Sequence, residues 1–472
     1  MFDRKVAWIL LIAFVGALVL GACGPADPAP IEEPPADTGE EMEEPEEEME
    51  PEEEMEEEAM GVDPSGQTVQ FWHVWGTGEA NVAMLAIVEE FNATNEWGIT
   101  VEPLDQGRYN DLEDAMNAAI QSGDLPSMVV GYTNALANWY QVDTLVDLDE
   151  FVNDPDWGLD EAAKEDFYDG AFQGGVTPEG ARIGYPISQS ANVIFYNSGW
   201  AQELGFDSAP ANPDEFMEQA CAATEANSTD DNPDNDGTGG LVLYTGASNV
   251  ASWTYAFGGD FLGDEGSVYD FTSPEVEAVA NFLKDMWDEG CAFPTESYPN
   301  PEFATRKALF TMSSTAGIPF QVEAFNAEDA ILDEWTVIPF PGPDGNQAVD
   351  AFGQYIAIVD TTPEQNLATW LFFKHLTSPE IQEEWVRASA YYPTRRSTVD
   401  LLSDYSSENE YWAQGLELVE YGKAEPSVPS WTTVRREVQE TFDQILASDP
   451  EQIPTLLEEL DAAAAEAVEE TQ

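Results

Sequence analysis

The sequence predicts an α/β protein whose folded body is divided into two lobes, each a mainly parallel sheet flanked by helices. Three observations lead to this fold class. Short apolar runs alternate with segments of helical periodicity, which is the pattern of parallel α/β layers. Hydrophobic residues make up 43% of the 472 residues and include 14 Trp, ample for a large core. About 400 residues follow an acidic segment, which is more than one core usually holds.

The first part of the body alternates strand, helix, strand, helix and strand. Apolar runs bounded by turn residues indicate the strands, and apolar residues every three or four positions indicate the helices. Asn110 is the predicted cap of the second helix, and Gly123 is its predicted end. The predicted strands cover residues 69–75, 99–104 and 127–132.

Four later helices are predicted from a cap residue followed by proline. Proline suits the first helical position because its fixed φ matches the helix and its missing N–H has no helical partner there. The four pairs are Asn212-Pro213, Ser273-Pro274, Thr362-Pro363 and Ser378-Pro379.

The first 23 residues have the pattern of an export signal. A charged start precedes a 15-residue apolar run, shorter than the roughly 20 residues that a membrane-spanning helix needs. Leu20-Gly21-Ala22-Cys23 resembles the bacterial lipobox, in which the cysteine becomes the lipidated first residue of the mature protein. We therefore expect Cys23 to anchor the protein to the cell membrane on its extracytoplasmic side. The alternative is an ordinary signal peptide with an incidental cysteine.

An acidic segment follows over residues 24–66. It contains 19 acidic residues, no basic residue, many prolines and no hydrophobic periodicity. Such a segment cannot bury enough apolar surface to fold, and its charge keeps it extended. We interpret it as a disordered stalk that lifts the body off the membrane. An acidic tail that recruits a basic partner is the alternative.

The negative charge of the chain argues against two classes of binding partner. The net charge is −78, and −60 remains from Gln67 onward, where 73 acidic residues face 13 basic ones. This balance argues against a nucleic-acid binder, because nothing in the chain could replace the counterions around phosphates. It also argues against electrostatic attachment to anionic lipid. A strongly acidic surface with few lysines suits a saline habitat.

Two cysteines remain after the export signal. Cys221 and Cys291 form an even pair in a chain bound for an oxidising compartment, which predicts a disulfide. Two buried free thiols are the alternative. Neither cysteine has a neighbouring Cys or His at metal-ligand spacing.

One segment matches the start of a calcium loop. Asn232, Asp234 and Asp236 place oxygen atoms at alternate positions before a glycine, so they are tentative metal ligands. The twelfth position would be Leu243, where an EF-hand has a bidentate Glu. We favour an ordinary turn built from Asp, Asn and Gly, with no cofactor; any calcium would be structural.

Six blocks of the body are similar to family 1 extracellular solute-binding proteins of ABC importers, a group that includes maltose- and oligosaccharide-binding proteins. Their order and spacing extend the resemblance over essentially everything from Gln67 onward. The blocks cover residues 70–92, 109–126, 185–197, 210–222, 307–313 and 370–395.

The resemblance implies a type II periplasmic-binding-protein-like fold, in which crossing strands join two lobes that close around a ligand. By similarity, the first lobe covers 67–188 plus 338–390 and the second covers 190–336 plus 392–472. It also implies that the protein is a monomer that captures a solute, most simply a mono- or oligosaccharide, and delivers it to a membrane permease. The alternatives are a secreted glycoside hydrolase and a surface binding protein without a transport role.

A sugar-binding cleft needs aromatic rings for the apolar C–H face of the sugar, and carboxylates, amides or Arg for its hydroxyls. Ligands of open α/β sheets lie at the carboxyl ends of strands, so the strand-to-helix loops are the places to look. The resemblance implies stacking at Trp431 and similar roles for the loops of Trp253 and of the first strand. The predicted ligand residues are Trp75, Glu79, Gln106, Tyr109, Asn134, Gln189, Trp253, Gly353, Gln354, Arg395 and Trp431.

Each of these residues also has a structural interpretation. Tryptophans mostly pack in cores, and Arg395, a rare cation in an acidic body, needs an anionic partner. Gly353 and Gln354 are placed near the cleft by resemblance only. If Trp431 stacks on the ligand, Trp431→Ala weakens binding without unfolding the body.

An enzyme is the less favoured function. His73 and His375 are the two side chains able to serve as a base at neutral pH without large tuning. One lies inside a predicted strand and the other inside a predicted helix, and neither is near a Gly-x-Ser-x-Gly or metal-binding motif. With 73 acidic residues, chance carboxylate pairs are inevitable, so none is singled out for glycoside hydrolysis.

Overall fold

The computed structural model describes residues 61–263, 269–295 and 298–471. The predicted export signal, the lipobox Cys23 and nearly all of the predicted stalk lie outside the described residues. None of the helices in the described part of the chain is long and apolar enough to cross a membrane.

The strands of the described residues belong to one mixed sheet. They are β1 (Thr68–His73), β2 (Thr100–Asp105), β3 (Met128–Gly131), β4 (Tyr185–Tyr196), β5 (Gly239–Val242), β6 (Ala292–Phe293), β7 (Ala308–Ser314), β8 (Thr336–Ile338), β9 (Phe340–Pro341), β10 (Gln347–Ile358) and β11 (Gly422–Ala424).

Helices precede or follow most of these strands. They are α1 (Glu79–Thr94), α2 (Tyr109–Ser122), α3 (Thr133–Gln141), α4 (Asp149–Val152), α5 (Glu161–Glu165), α6 (Asp169–Gln173), α7 (Ser198–Leu204), α8 (Pro213–Thr229), α9 (Ala247–Ala256), α10 (Pro274–Asp288), α11 (Asn300–Ala304), α12 (Ile318–Ala324), α13 (Pro363–Leu376), α14 (Pro379–Ser389), α15 (Arg396–Leu401), α16 (Ser403–Glu408), α17 (Glu410–Glu417), α18 (Trp431–Ala447) and α19 (Ile453–Glu470). Short 3₁₀ turns cover Thr315–Gly317, Pro343–Gly345, Leu418–Tyr421 and Pro450–Gln452.

The sheet consists of two parallel groups joined by two long antiparallel strands. The order along the main path is β2-β1-β3-β10-β4-β7-β5-β6. β1 is parallel to β2 and β3, and β5 is parallel to β6 and β7. β4 and β10 are antiparallel to each other and cross between the groups. The predicted α/β fold class with mainly parallel lobes is therefore confirmed, and the crossing strands make the whole sheet mixed.

Two large hydrophobic clusters form two cores. The first contains β1 to β3 and α1 to α3 and, much later in the chain, the end of β10 with α13 and α14. The second contains α8 to α10, β5, the start of β10, and α18 with α19. Two cores in one continuous sheet are what a body of about 400 residues requires.

The positions of the core residues bear on the predicted lobe boundaries. Phe340 and Ala348 pack in the second core, and the first core resumes at Tyr355. We therefore place the return to the first lobe within β10 rather than at residue 338. The lobe boundaries themselves remain a prediction.

Most of the predicted helix starts are confirmed, and one is wrong. α8, α10 and α13 begin after Asn212, Ser273 and Thr362, whose side chains each accept a hydrogen bond from the backbone N–H three residues later. α14 also begins where predicted, after Ser378. α2, however, begins at Tyr109, before its predicted cap Asn110. The reason is that the Asp111 carboxylate accepts the Arg108 N–H at 3.0 Å, which makes Arg108 the N-cap and starts the helix two residues earlier than predicted.

Cys221 and Cys291 are joined by a disulfide with Cα atoms 4.5 Å apart. Cys221 lies on α8, and Cys291 immediately precedes β6. The bond links a helix of the second lobe to the edge strand of its sheet, next to the second core.

Candidate functional site

A cavity of about 800 Å³ is lined by residues from both halves of the sheet. From the first half come residues of α2 and α3, which follow β2 and β3. From the second half come the segments that follow β5 and β6, the end of β7, and one face of α18. The carboxyl ends of parallel strands therefore meet at this cavity, which is where open α/β sheets bind ligands.

The wall of the cavity combines exposed aromatic rings with many neutral polar groups. Tyr244 is 56% exposed and Tyr298 is 84% exposed, unusually high values for rings that lie in a concave site. Amides and hydroxyls occupy much of the remaining wall: Asn110, Asn134, Asn192, Ser248, Asn249, Ser313, Ser314, Thr432 and Gln439.

Asn192 is held rigidly where β4 borders the cavity. Its amide nitrogen donates to Asn249 Oδ1 at 2.8 Å and to Ser252 Oγ at 3.0 Å. It also lies 3.2 Å from the Ser248 carbonyl oxygen. These bonds fasten the crossing strand to the first turn of α9 and fix the orientation of one polar group in the wall.

A charged network supports the α18 side of the wall. The Glu425 carboxylate accepts from Ser248 Oγ at 2.7 Å and from Trp431 Nε1 at 2.6 Å, and it pairs with the Arg435 guanidinium. Arg435 also donates to Ser248 Oγ at 3.0 Å. Arg435 is therefore positioned from several directions, while 39% of its side chain stays exposed.

Asp350 lies beneath this network, in β10 opposite Asn192. The residue is fully buried, and neither carboxylate oxygen has a hydrogen-bond partner among the described residues. Burial raises the pKa of Asp350 to about 7, with the positive charge of Arg435 acting in the opposite direction. Near neutral pH, both the neutral and the charged form of this carboxyl group are therefore populated.

The two halves of the sheet touch beside the cavity. The Asn134 amide at the start of α3 donates to Thr432 Oγ1 at 2.6 Å. Gln141, at the end of α3, donates to the backbone carbonyl of Thr471, beyond α19. Asn134 is the one predicted ligand residue that lines the cavity.

Tyr109, another predicted ligand residue, packs against an aromatic residue that the sequence analysis missed. The rings of Tyr109 and Tyr132 are 4.3 Å apart, and Tyr132 is 38% exposed. Burial raises the pKa of Tyr132, while the charge of Arg435 opposes this rise.

The three predicted stacking tryptophans lie in the cores. Trp75 packs against His73 and against the edge of Trp385, in the first core. Trp253 is fully buried among aromatic rings of the second core. Trp431 is 2% exposed and packs against Phe261 and Tyr269. None of the three lines the cavity, because the helices and strands that carry them turn these rings inward.

Three predicted ligand residues lie on the crossing strands and bond within the protein. Gln189 donates from its amide to the Pro393 carbonyl at 2.6 Å, and Gln354 accepts from Ser188 Oγ at 3.0 Å. A Cβ atom on Gly353 would lie 2.1 Å from the Ser188 carbonyl oxygen, so only glycine allows this close pairing of β10 with β4.

Arg395 is a structural residue in this fold. Its guanidinium donates to the backbone carbonyls of Thr377 at 2.6 Å and Ala163 at 2.9 Å. It also stacks 3.9 Å from the centre of the Phe167 ring and lies 3.5 Å from the Asp166 carboxylate. This environment agrees with the alternative interpretation of Arg395 as a buried bridge.

The remaining predicted residues lie near the first strands. Glu79 is exposed at the first position of α1. Gln106 follows β2 and donates its backbone N–H to the His73 carbonyl at 2.8 Å. Neither side chain lines the cavity.

The calcium-like segment forms ordinary turns. The Asp230 carboxylate accepts the Asn232 N–H at 2.7 Å, and Asn232 Oδ1 accepts the Asp234 N–H at 3.2 Å. Within the described ranges, no group of three or more His, Cys, Asp or Glu side chains is placed to hold a metal ion.

The two histidines lie outside the cavity wall. Burial lowers the pKa of both His73 and His375, with Asp105 and Glu90 respectively opposing the shift. Both side chains pack against aromatic rings of the first core. Neutral, enclosed imidazoles of this kind are packing groups.

Most residues of the cavity wall were not predicted from the sequence. Tyr244 follows β5 in a strand-to-helix loop, so the same rule that selected Asn134 could have found it. Arg435 and Arg436 lie within a helix, where spacing gives no sign of which face meets a cavity. Asn192 lies inside a continuous buried strand and carries no motif.

Comparison with known proteins extends these observations. A family model described as bacterial extracellular solute-binding protein matches residues 86–413. No curated protein matches the chain. Among solved structures, the sugar-binding protein MalE from Xanthomonas citri is similar with a TM-score of 0.72 and 20% identity, covering 86% of this chain and 98% of that one.

Two further structures share the fold at similar distance. The cyclic α-maltosyl-1,6-maltose binding protein from Arthrobacter globiformis has a TM-score of 0.70 and 20% identity, covering 84% of this chain and 98% of that one. UgpB from Mycobacterium tuberculosis, in complex with glycerophosphocholine, has a TM-score of 0.66 and 20% identity, covering 85% and 99%. At these identities the likeness establishes the two-lobed fold.

Proposed function

Because the chain belongs to the bacterial extracellular solute-binding protein family, we propose that it captures a sugar in the cavity and delivers it to the permease of an ABC importer. The observation that carries this proposal is the cavity itself. Its volume of about 800 Å³ lies within the usual range of small-molecule sites, roughly 300–1,000 Å³. It lies where strand ends from both lobes meet, so lobe closure would enclose the ligand.

The chemistry of the wall suits a polyhydroxylated ligand. Tyr244 and Tyr298 offer aromatic faces to the C–H face of a sugar ring. The amides of Asn110, Asn134 and Asn192 can each donate to one hydroxyl and accept from another. Relatives from Xanthomonas and Arthrobacter that are named for sugar ligands give further support.

The predicted anchor completes the proposal. A lipid on Cys23 and an extended acidic stalk over residues 24–66 would hold a monomeric receptor close to its permease while leaving the lobes free to move. Both features follow from the sequence patterns alone.

The cavity gives little support to the alternative of a glycoside hydrolase. Hydrolysis of a glycosidic bond usually needs two carboxyl groups about 5 to 10 Å apart, on either side of the bond. Among the described residues that line the cavity, Glu113 is the one carboxylate.

The test is a thermal-shift screen of the purified protein against neutral and acidic saccharides, with an assay for new reducing ends on every sugar that binds. A sugar-dependent rise in Tm without turnover supports a binding protein. New reducing ends would establish the hydrolase instead. No shift with any sugar would leave a surface protein of another kind.

A further inference from the structure

The wall of the cavity differs in charge from the rest of the body. Among its twenty lining residues, Arg435 and Arg436 are basic and Glu113 is acidic. At the average composition from Gln67 onward, twenty residues would include about four acidic residues and less than one basic residue. The lining residues thus sum to a formal charge of +1 in a body with a charge of −60. Glu425 behind the wall pairs with Arg435, so Arg436 is the cation of the wall that lacks a hydrogen-bonded carboxylate among the described residues.

Arg436 has donors available for a ligand. Its side chain is 67% exposed, and its closest carboxylates, on Glu437 and Glu440, lie 3.6 and 3.8 Å away, beyond hydrogen-bond distance. Arg306 shows the contrast: it donates to Glu203 and Asp333 over distances between 2.6 and 2.9 Å. Arg436 and Arg108 are the two arginines whose guanidinium makes no hydrogen bond in the described structure, and of these Arg436 lines the cavity.

The start of α9 adds to the positive character of the same wall. Gly246, its N-cap, provides no side-chain cap, and Gly246, Ala247 and Ser248 all line the cavity. The first N–H groups of a helix carry partial positive charge and suit oxygen anions. Here they reinforce the two arginines.

Glu113 repels an anionic ligand less strongly than a fully ionised carboxylate would. Its side chain is half-buried, and burial raises the pKa of its carboxyl, as does the neighbouring Asp114. A carboxyl with a raised pKa takes up a proton more readily when a second anion approaches.

Resting on the proposed function, we propose that the sugar taken by this cavity carries an anionic group, a carboxylate or a phosphate. Arg436 binds this group directly, with Arg435 beside it and the start of α9 available to its oxygens. The tyrosines and amides hold the rest of the sugar. An Arg fork matches the geometry of either anion.

The acidic body gives this binding an unusual dependence on salt. The charge of −60 repels an anion at a distance, whereas the arginines attract it only within the cavity. Salt screens the long-range repulsion, with a Debye length of about 10 Å at 0.1 M. The association rate of the acidic sugar therefore rises with salt.

Calorimetry on the purified protein tests the proposal with matched pairs: galactobiose against digalacturonate, maltose against maltobionate, and glucose against glucose 6-phosphate. The uronate and phosphate arms separate the two possible anions. We expect at least one acidic member to bind about tenfold or more tightly than its neutral partner. Arg436→Ala should remove that difference, because the acidic member then loses the guanidinium that distinguishes it from its neutral partner.

Lys164→Ala is the matched control, because Lys164 is a surface cation paired with Glu161 and lies outside the cavity wall. This variant should bind every sugar as the wild type does. If the neutral members bind more tightly, or if Arg436→Ala leaves the difference intact, the anionic ligand is overturned while sugar binding stands. If no sugar binds, the proposed function falls as well.

Discussion

Asp350 is a buried carboxyl group, and both of its oxygens lack a hydrogen-bond partner among the described residues. Buried carboxylates normally accept several hydrogen bonds, because water no longer solvates them. Arg435 and the Ser248 side chain both act to lower the pKa of Asp350, but neither carboxyl oxygen accepts a hydrogen bond in good geometry among the described residues. Folding therefore favours its protonated form.

The pH dependence of stability follows from the direction of this shift. Burial raises the pKa of Asp350 from 3.8 to about 7. Below about pH 4 both the folded and the unfolded chain hold the proton, so folding carries no penalty. Between about pH 4 and 7 the unfolded chain releases the proton first, so this contribution lowers stability as pH rises. Above pH 7 the loss is complete and is on the order of 4 kcal/mol.

Asp350→Asn should therefore gain stability over the wild type at about pH 8 and less than half as much at about pH 5, because its amide has no proton to lose. Urea unfolding at the two pH values measures the change. Asp285→Asn, on an exposed face of α10, is the matched control and should show no such difference. An equal effect of Asp350→Asn at both pH values would contradict the buried-carboxyl explanation.

Two aromatic residues of the second lobe illustrate opposite roles. Trp431 is nearly fully buried and donates to Glu425, whereas Tyr244 exposes more than half of its surface in the cavity. The structure therefore changes the effect expected from Trp431→Ala. We now expect it to lower the free energy of unfolding by about 3–5 kcal/mol. We expect Tyr244→Ala to weaken sugar binding and leave unfolding nearly unchanged.

Thermal unfolding and calorimetry on the two variants measure both quantities. If the proposed site is correct, Trp431→Ala lowers stability and Tyr244→Ala lowers sugar affinity. Weak sugar binding with normal stability in Trp431→Ala would restore its predicted stacking role, and full binding in Tyr244→Ala would remove Tyr244 from the site.

At the scale of elements, the disulfide is the one covalent cross-link between side chains in the described structure. It joins α8 to the residue before β6 across a sequence separation of 70 residues. In the loop-closure account, a link of this span lowers the entropy of the unfolded chain and stabilises the fold by about 4 kcal/mol.

The double variant Cys221→Ala, Cys291→Ala should lower the free energy of unfolding by about 2–5 kcal/mol. A reductant should lower the Tm of the wild type and leave that of the variant unchanged. If reductant affects neither protein, the two thiols are not bonded in solution.

Local sequence signals predicted the elements well because they act over a few residues. Cap residues with proline located four helix starts, and Gly123, in the left-handed region at φ 78, ended α2 as predicted. The exception at Asn110 has the same local origin, since two acidic residues three positions from possible caps competed and Asp111 prevailed.

The site was predicted poorly because it depends on which way each side chain faces after the lobes assemble. Asn134 was found since it follows a strand directly. Trp253 lies on a helix that the second core surrounds, so its loop position in the sequence was misleading. Arg435 and Arg436 also reach the cavity, although only 13 basic residues follow Gln67, and neither has a local signal that marks it.

For the whole molecule, the charge of −60 on the body is the dominant electrostatic fact. Cations that pair with carboxylates, such as Arg306 and Arg387, neutralise only a small part of it. The folded state brings the remaining charges closer together than the unfolded chain does, so their repulsion opposes folding.

Stability should therefore rise as sodium chloride increases from about 0.01 M to about 1 M, where the Debye length falls from about 30 to 3 Å. Thermal unfolding along this series measures the effect, and sucrose at matched osmolarity controls for changes in water activity. A Tm that stays constant or falls with salt would show that surface repulsion is not a significant term.

The path of the chain through the two cores has a consequence for how the protein is made. The first core is built from residues between Val69 and Ile187, and then again from Tyr355 to Trp385. In between, the chain forms most of the second lobe. A nascent chain that emerges from its N-terminus therefore exposes β3 without its partner strand β10 until three quarters of its length is available. The first half of this sheet is begun early and completed late, so the edge of β3 stays prone to aggregation until β10 has been made.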